Sequence, residues 1–130
     1  MRSLLLTLFF ATFAAAAASD RPERLTDRPV PTVKLIASIG WRLSGVASMD
    51  VEQGNVVLKI DGDVFNVSGK ERPSPKIRLE TQDARGEAIF HWTVLPDQPQ
   101  VKAGDYATYS ARLESPPEAI RGVVISTVED

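Results

Sequence analysis

VVLKIDGDVFNVSGKERPSPKIRLETQD, residues 56–83, decides how this chain of 130 residues reads. Val56, Leu58, Ile60, Gly62 and Val64 fall on one side of a period-two alternation, with Lys59, Asp61 and Asp63 on the other. That period is what an antiparallel strand with one buried face requires. Gly62 stands where the apolar row calls for a side chain, which predicts a bulge or a close approach by other backbone. A polar loop follows over residues 66–75. Ser68-Gly69-Lys70 can turn the chain there, and Pro73 and Pro75 remove ladder donors. Ile77, Leu79 and Thr81 then alternate with Lys76, Arg78, Glu80 and Gln82, the cleanest strand pattern in the chain.

Downstream the same grammar repeats. Asp83-Ala84-Arg85-Gly86 has Asp first and Gly fourth, as a type I turn prefers. It leads into residues 87–95, where Ala88, Phe90, Trp92 and Val94 face one side and Ile89, His91 and Thr93 the other. Residues 105–113 alternate Ala107, Tyr109, Ala111 and Leu113 with polar neighbours, and residues 119–128 carry Val123, Ile125 and Thr127 in phase. Pro96 and Pro99, and later Pro116 and Pro117, separate these runs. Upstream, residues 42–51 form a weaker strand closed by a polar turn at 52–55. Residues 32–40 fit either a short helix ended by Gly40 or a strand through Val33, Leu35, Ala37 and Ile39, and the helical turn is the reading adopted. Six strands at near-regular spacing indicate a sandwich or barrel. Phe90, Trp92 and Tyr109 are the aromatic residues expected in its core.

The bulk numbers limit what the domain can do. Apolar residues make up 43% and charged residues 25%, a globular composition. The net charge is −2, and the sequence offers no basic stripe for phosphate, so nucleic acid is not an expected partner. Cysteine is absent, which removes disulfides, thiolate nucleophiles and thiolate zinc sites. Residues 1–18 read as a signal peptide, with Arg2 before an apolar core and Ala16-Ala17-Ala18 at the cut. The competing reading is an uncleaved leader anchoring the chain to the inner membrane, the only membrane attachment foreseen. Residues 19–31, with three prolines and no periodicity, read as a flexible linker. The β-domain is expected over residues 32–130, in the periplasm or secreted.

Gly62-Asp63-Val64-Phe65-Asn66, Pro73 to Pro75, Asp83 to Gly86, Trp92, Gly104-Asp105, Tyr109, Ser115 to Pro117 and Val123 to Thr127 follow one another in an order that resembles a bacterial envelope domain. This is the domain of unknown function 3426, often found after a zinc ribbon and one membrane helix. The resemblance covers residues 39–128 and implies an all-β, immunoglobulin-like antiparallel sandwich of six to seven strands outside the cytoplasmic membrane. It brings no activity and no catalytic residues. No zinc ribbon stands here, so no cytoplasmic sensing role carries over. Thr127 occupies a place where relatives tend to have an aromatic, so the last strand is expected to pack differently at its end.

Candidate chemistry is sparse. His91 is the only histidine, so a Ser–His–Asp triad would have to use it, yet it falls in mid-strand with Ile89 and Thr93 on its face. Asp61-Gly62-Asp63 echoes a calcium loop without the rest of one, and Glu80, Asp83 and Glu87 cluster at a hairpin with no cleft. Asn66 reads as a turn former, and Tyr106 as a candidate tyrosine-corner donor. No catalytic residue, metal ligand or cofactor is assigned. Val57, Phe65, Val67, Ile89 and Val124 lie on the wrong parity for the core. They form either an interface or a surface covered by residues 33–41. The candidate interaction surface is Phe65, Asn66, Val67, Ile89 and His91. The functional expectation is an exported, non-enzymatic module making protein–protein contacts with an unknown envelope protein. The alternatives are a small-molecule or glycan-binding periplasmic domain and, third, a small hydrolase built on His91.

Overall fold

A computed structural model describes residues 28–129, so the signal peptide and most of the linker lie outside the described residues. Ten strands and no helix occupy this range. They are β1 (Thr32–Ile36), β2 (Trp41–Leu43), β3 (Val46–Glu52), β4 (Asn55–Asn66), β5 (Arg72–Pro73), β6 (Lys76–Gln82), β7 (Ala88–Val94), β8 (Gln100–Val101), β9 (Tyr106–Glu114) and β10 (Gly122–Val128).

They form a β-sandwich. In one sheet β4 pairs along one edge with β9 and along the other first with β3 and then with β2. The second sheet runs β1, β10, β6, β7. A two-residue ribbon, β5 with β8, closes one end. The β3–β4 and β6–β7 hairpins lie in opposite sheets, and the later strands β9 and β10 add to β4 and β6. Those neighbours correspond to the B–E and C–F pairs of the immunoglobulin sandwich. The place where that fold puts its final strand is taken by β1, which runs parallel to β10.

The alternation of β4 sets the core as expected. Val64, Ile60 and Leu58 face inward from it. Ile77, Leu79, Val123 and Ile125 answer from the other sheet, and all seven are buried. Gly62 is the close approach that its place in the apolar row predicts. A Cβ there would lie 2.0 Å from the Ser44 carbonyl oxygen and 2.5 Å from the Tyr109 hydroxyl. Tyr109 is the register partner of Gly62 and crosses the gap to donate a hydrogen bond to that same carbonyl at 2.7 Å. Ser44 lies between β2 and β3, so the tyrosine reaches across β4 and ties the break in that edge to β9 on the other side. Gly45 makes room from the other side, since a Cβ there would meet the Tyr109 hydroxyl at 2.7 Å.

Four expectations are corrected. Residues 32–40 contain the strand β1 and no helical turn, because five residues pair with β10 while Ser38 and Gly40 close a turn into β2. Residues 42–51 are split at Ser44 and Gly45 into two strands rather than one. The tyrosine that reaches back to a main-chain carbonyl is Tyr109, not Tyr106, which is half exposed. Of the three expected core aromatics only Tyr109 is fully buried: Phe90 is 47% exposed and Trp92 lies at the margin, while Trp41 is buried instead. At the end of β10, Thr127 Oγ1 accepts a hydrogen bond from the Ser38 N–H at 2.7 Å, so it anchors the β1–β2 turn rather than filling space with a ring.

Candidate interaction surface

The five residues singled out from the sequence do not form one site. Phe65 points to the outer face of the β4 sheet at one end. Its ring lies 5.6 Å from that of Tyr106 and beneath the Arg42 guanidinium, whose carbon stands 5.1 Å from the ring centre. Strand pairing dictates this trio, since Phe65 is the register partner of Tyr106 on β9 and of Arg42 on β2. Val67 follows immediately, 55% exposed, with its N–H bonded to the Gly40 carbonyl. Ile39, beside Gly40, is 96% exposed. Arg42, Phe65, Tyr106, Val67 and Ile39 therefore share one end of the sandwich.

Asn66 lies among them in sequence but offers no surface. It is fully buried, donating through Nδ2 to the carbonyls of Lys70 and Val101 at 2.7 and 2.8 Å. Its Oδ1 accepts from the N–H and hydroxyl of Ser68. Its own N–H and C=O bond Asp105 and Gly104. The turn-forming reading is the one its contacts describe: the side chain holds the loop after β4 against β8, and the main chain of the same residue holds the turn before β9. As a member of an interaction surface Asn66 is set aside, because burial leaves nothing for a partner to touch.

Ile89 and His91 lie on β7, at the edge of the other sheet, and face outward. His91 is opposite Glu80 in register. The Glu80 carboxylate accepts from Gln82 and Arg78, and those two bonds hold its pKa below the ordinary range. Ile89 sits at a register irregularity between Thr81 and Gln82 that bends the strand end. The two remaining wrong-parity residues are distributed differently again. Val57 is 2% exposed, flanked in register by Asp50 and Glu114 within an ion network. Lys59 meets Asp50 at 3.1 Å and Glu52 at 2.6 Å, and Arg112 meets Glu52 at 2.6 Å. The hydrogen bonds from Lys59 and then Arg112 bring the Glu52 carboxyl down to about 2. Val124 is half-buried beside Lys34 in register. The segment 33–41 covers none of these as a lid; it enters the sheets as β1 and the start of β2.

Sequence reasoning missed Arg42 and gave Tyr106 a structural role, that of tyrosine-corner donor, in place of a surface one. Arg42 has the opposite parity to Trp41 and Leu43, so a partner on the outer face was implicit, but naming it required the pairing with Phe65. It also missed the bridge at the same end, in which Arg72 stacks over Trp41 at 4.9 Å and both side chains bond Glu129. Among the described residues no group of three His, Asp or Glu side chains is placed to hold a metal ion.

No protein-family model and no curated sequence matches the chain, so the resemblance in motif order has no family match beside it. Among solved structures, a structural-genomics target determined by X-ray crystallography is similar at TM-score 0.48 and 7% identity. That match covers 69% of this chain and 83% of the other. A member of the DUF1425 family from Shewanella sp. pv-4 is similar at TM-score 0.43 and 13% identity, over 69% of this chain and 78% of that one.

Proposed function

We propose that this chain is an exported, non-enzymatic β-sandwich module that acts by protein–protein contact in the bacterial cell envelope. The observation that carries this reading is the end patch in which Arg42 and Tyr106 flank Phe65, with Ile39 and Val67 exposed beside it. Arginine and tyrosine dominate interface hot spots because they add large contact area together with hydrogen-bonding capacity. The ring contact and the cation–π contact also hold the trio in one conformation before any partner arrives, which lowers the entropy cost of binding. Export is supported by the leader pattern in residues 1–18.

The test is site-specific photo-cross-linking in cells, with a photoreactive amino acid replacing Tyr106 and, as control, Ser48 on the same sheet face. One discrete adduct from position 106, absent from position 48 and recovered in the envelope fraction, is the expected result. Absence of any adduct overturns the end patch as the contact surface, and retention of the protein in the cytoplasm overturns export.

A further inference from the structure

The two sheets are unequal: β4 is flanked by one strand position on each side, whereas the second sheet is four strands wide. The surplus strand is β7. Phe90, Trp92 and Val94 share the inward face with their register partners Thr81, Leu79 and Ile77, which are fully buried. Yet Phe90 is 47% exposed, and Trp92 and Val94 are only half-buried. The inner face of β7 therefore projects past the end of the opposite sheet, whose last strand is β9. In the immunoglobulin arrangement a fourth strand, D, occupies that place beside the equivalent of β9. Among the described residues no strand does.

The edge of β9 is prepared for one. The Thr108 N–H donates to Asp97 Oδ1 and the Thr108 carbonyl accepts from the Asp97 N–H, both at 2.9 Å, so the main-chain groups of Thr108 point away from β4. Antiparallel pairing alternates this direction residue by residue, so the N–H and C=O of Ser110 and Arg112 point the same way. No bond to them occurs among the described residues. Asp97 thus fills the first rung of the vacant edge, and the next two rungs are open. The Arg112 guanidinium is drawn onto the outer face by Glu52 and does not guard the edge. A cleft of about 530 Å³ lies here, lined by Lys59, Asp61, Val94, Ser110, Ala111 and Arg112.

We propose that this cleft is a docking slot for one extended segment of another protein, which adds to β9 as a strand beneath β7. The proposal rests on the contact reading above and names its mode. Strand addition supplies affinity through main-chain hydrogen bonds and specificity through alternate side chains. The occupant's chemistry follows from the walls: a proline-free run of about five residues, apolar where it faces Val94 and Ala111. Between these it is polar and uncharged, because Lys59, Asp61 and Arg112 present mixed charge outside. A second copy of this sandwich would bring an edge two sheets deep, about 10 Å between them, to an overhang one strand position wide.

The probe is an acetylated seven-residue peptide alternating valine and threonine, read by amide hydrogen exchange on the purified protein. Binding should slow exchange at Ser110 and Arg112 at least tenfold and leave Thr108 unchanged. Ser110→Pro removes an edge donor that none of the described residues uses, and Val94→Asp places a charge in the roof. Both should abolish the protection while thermal unfolding stays cooperative, and either variant alone suffices if the other fails to fold. No protection with the parent protein, protection confined to β7, or protection that appears without peptide as the protein dimerises overturns the slot. An adduct from position 106 with no protection at Ser110 and Arg112 sinks the slot and leaves the contact reading standing. Protection without any adduct sinks the end patch and leaves the slot.

Discussion

Replacing Gly62 by alanine should destabilise the sandwich by roughly 3–4 kcal/mol, although the same change in an unobstructed strand is mildly favourable. Alanine narrows the unfolded ensemble, which contributes about 0.4–1 kcal/mol of stability where space permits. Here the new methyl would lie 2.0 Å from the Ser44 carbonyl oxygen, against an ordinary C···O contact of about 3.3 Å. The carbonyl would have to retreat by more than 1 Å. Its hydrogen bond from Tyr109 would break, and the Ser44 N–H bond to the Asp63 carbonyl would stretch. Overpacking costs about 1–3 kcal/mol, and a buried hydroxyl that loses its partner adds about 1–3 more. The loss outweighs the entropic gain. In a domain of this size that is a fall of roughly 12 °C or more in the midpoint of thermal unfolding.

The double variant Gly62→Ala/Tyr109→Phe separates the two obstacles. Removing the hydroxyl clears the contact at 2.5 Å, but the ring carbon at 2.7 Å and the main-chain oxygen at 2.0 Å remain. Rescue should therefore be partial, with at least half of the alanine penalty persisting beside phenylalanine. Urea titration of the four proteins in this cycle supplies the numbers. A Gly62→Ala midpoint equal to or above that of the parent, with an unchanged slope, would refute the argument that backbone approach selects glycine here.

Three further outcomes follow from the packing. Asn66→Ala should cost roughly 2–4 kcal/mol, because the Lys70 and Val101 carbonyls and the Ser68 N–H lose one shared partner; chemical denaturation checks it, and a loss below 1 kcal/mol contradicts the structural role. Burial, with Asp63 and Asp61 nearby, raises the Tyr109 hydroxyl to about 12 from an unfolded value near 10. The unfolded chain then ionises first, so a contribution of roughly 2–3 kcal/mol is present below pH 10 and lost as pH rises from 10 to 12. Tyr109→Phe should flatten the stability profile in that window, and an unchanged alkaline slope would contradict it. Trp41→Ala should cost about 3–5 kcal/mol and Trp92→Ala less than half of that, since one ring is buried and the other marginal; equal urea midpoints for the two variants would reverse the ranking.

Period-two alternation was enough to read β4, β6, β9 and β10, because each has one face in the core and one in water. It failed where a strand's environment depends on what lies across from it. Phe90 and Trp92 have the same parity and composition as any core pair, and nothing in residues 87–95 states that the opposite sheet ends one strand short. Residues 32–40 are ambiguous for a related reason. Thr32–Ile36 is an edge strand paired along one side only, with a mostly exposed surface, so its composition carries no clear periodic contrast. Gly62 was legible because a missing side chain in an apolar row has few causes. Its partner was not: the sequence reading placed the reaching hydroxyl at Tyr106 and Tyr109 in the core, and only the register of β9 on β4 sets Tyr109 opposite Gly62.

The same inequality of sheets links what was misread with what is proposed. A sandwich with matched edges would have buried Phe90, Trp92 and Val94 and left no open rungs on β9, and the aromatic core expected from the sequence would have formed. β1 takes the place beside β10 in one sheet, while among the described residues no strand stands beside β9 in the other. A chain that only needed to be stable could have covered that margin with a longer β7–β9 connection. Instead the connection passes through Asp97, bonds Thr108 once and turns away to β8. The end patch around Phe65 and the slot along β9 meet at the start of that strand, at Tyr106 and Thr108. One extended partner lying along β9 could therefore reach both, so a cross-link from position 106 and exchange protection at Ser110 should report the same binding event.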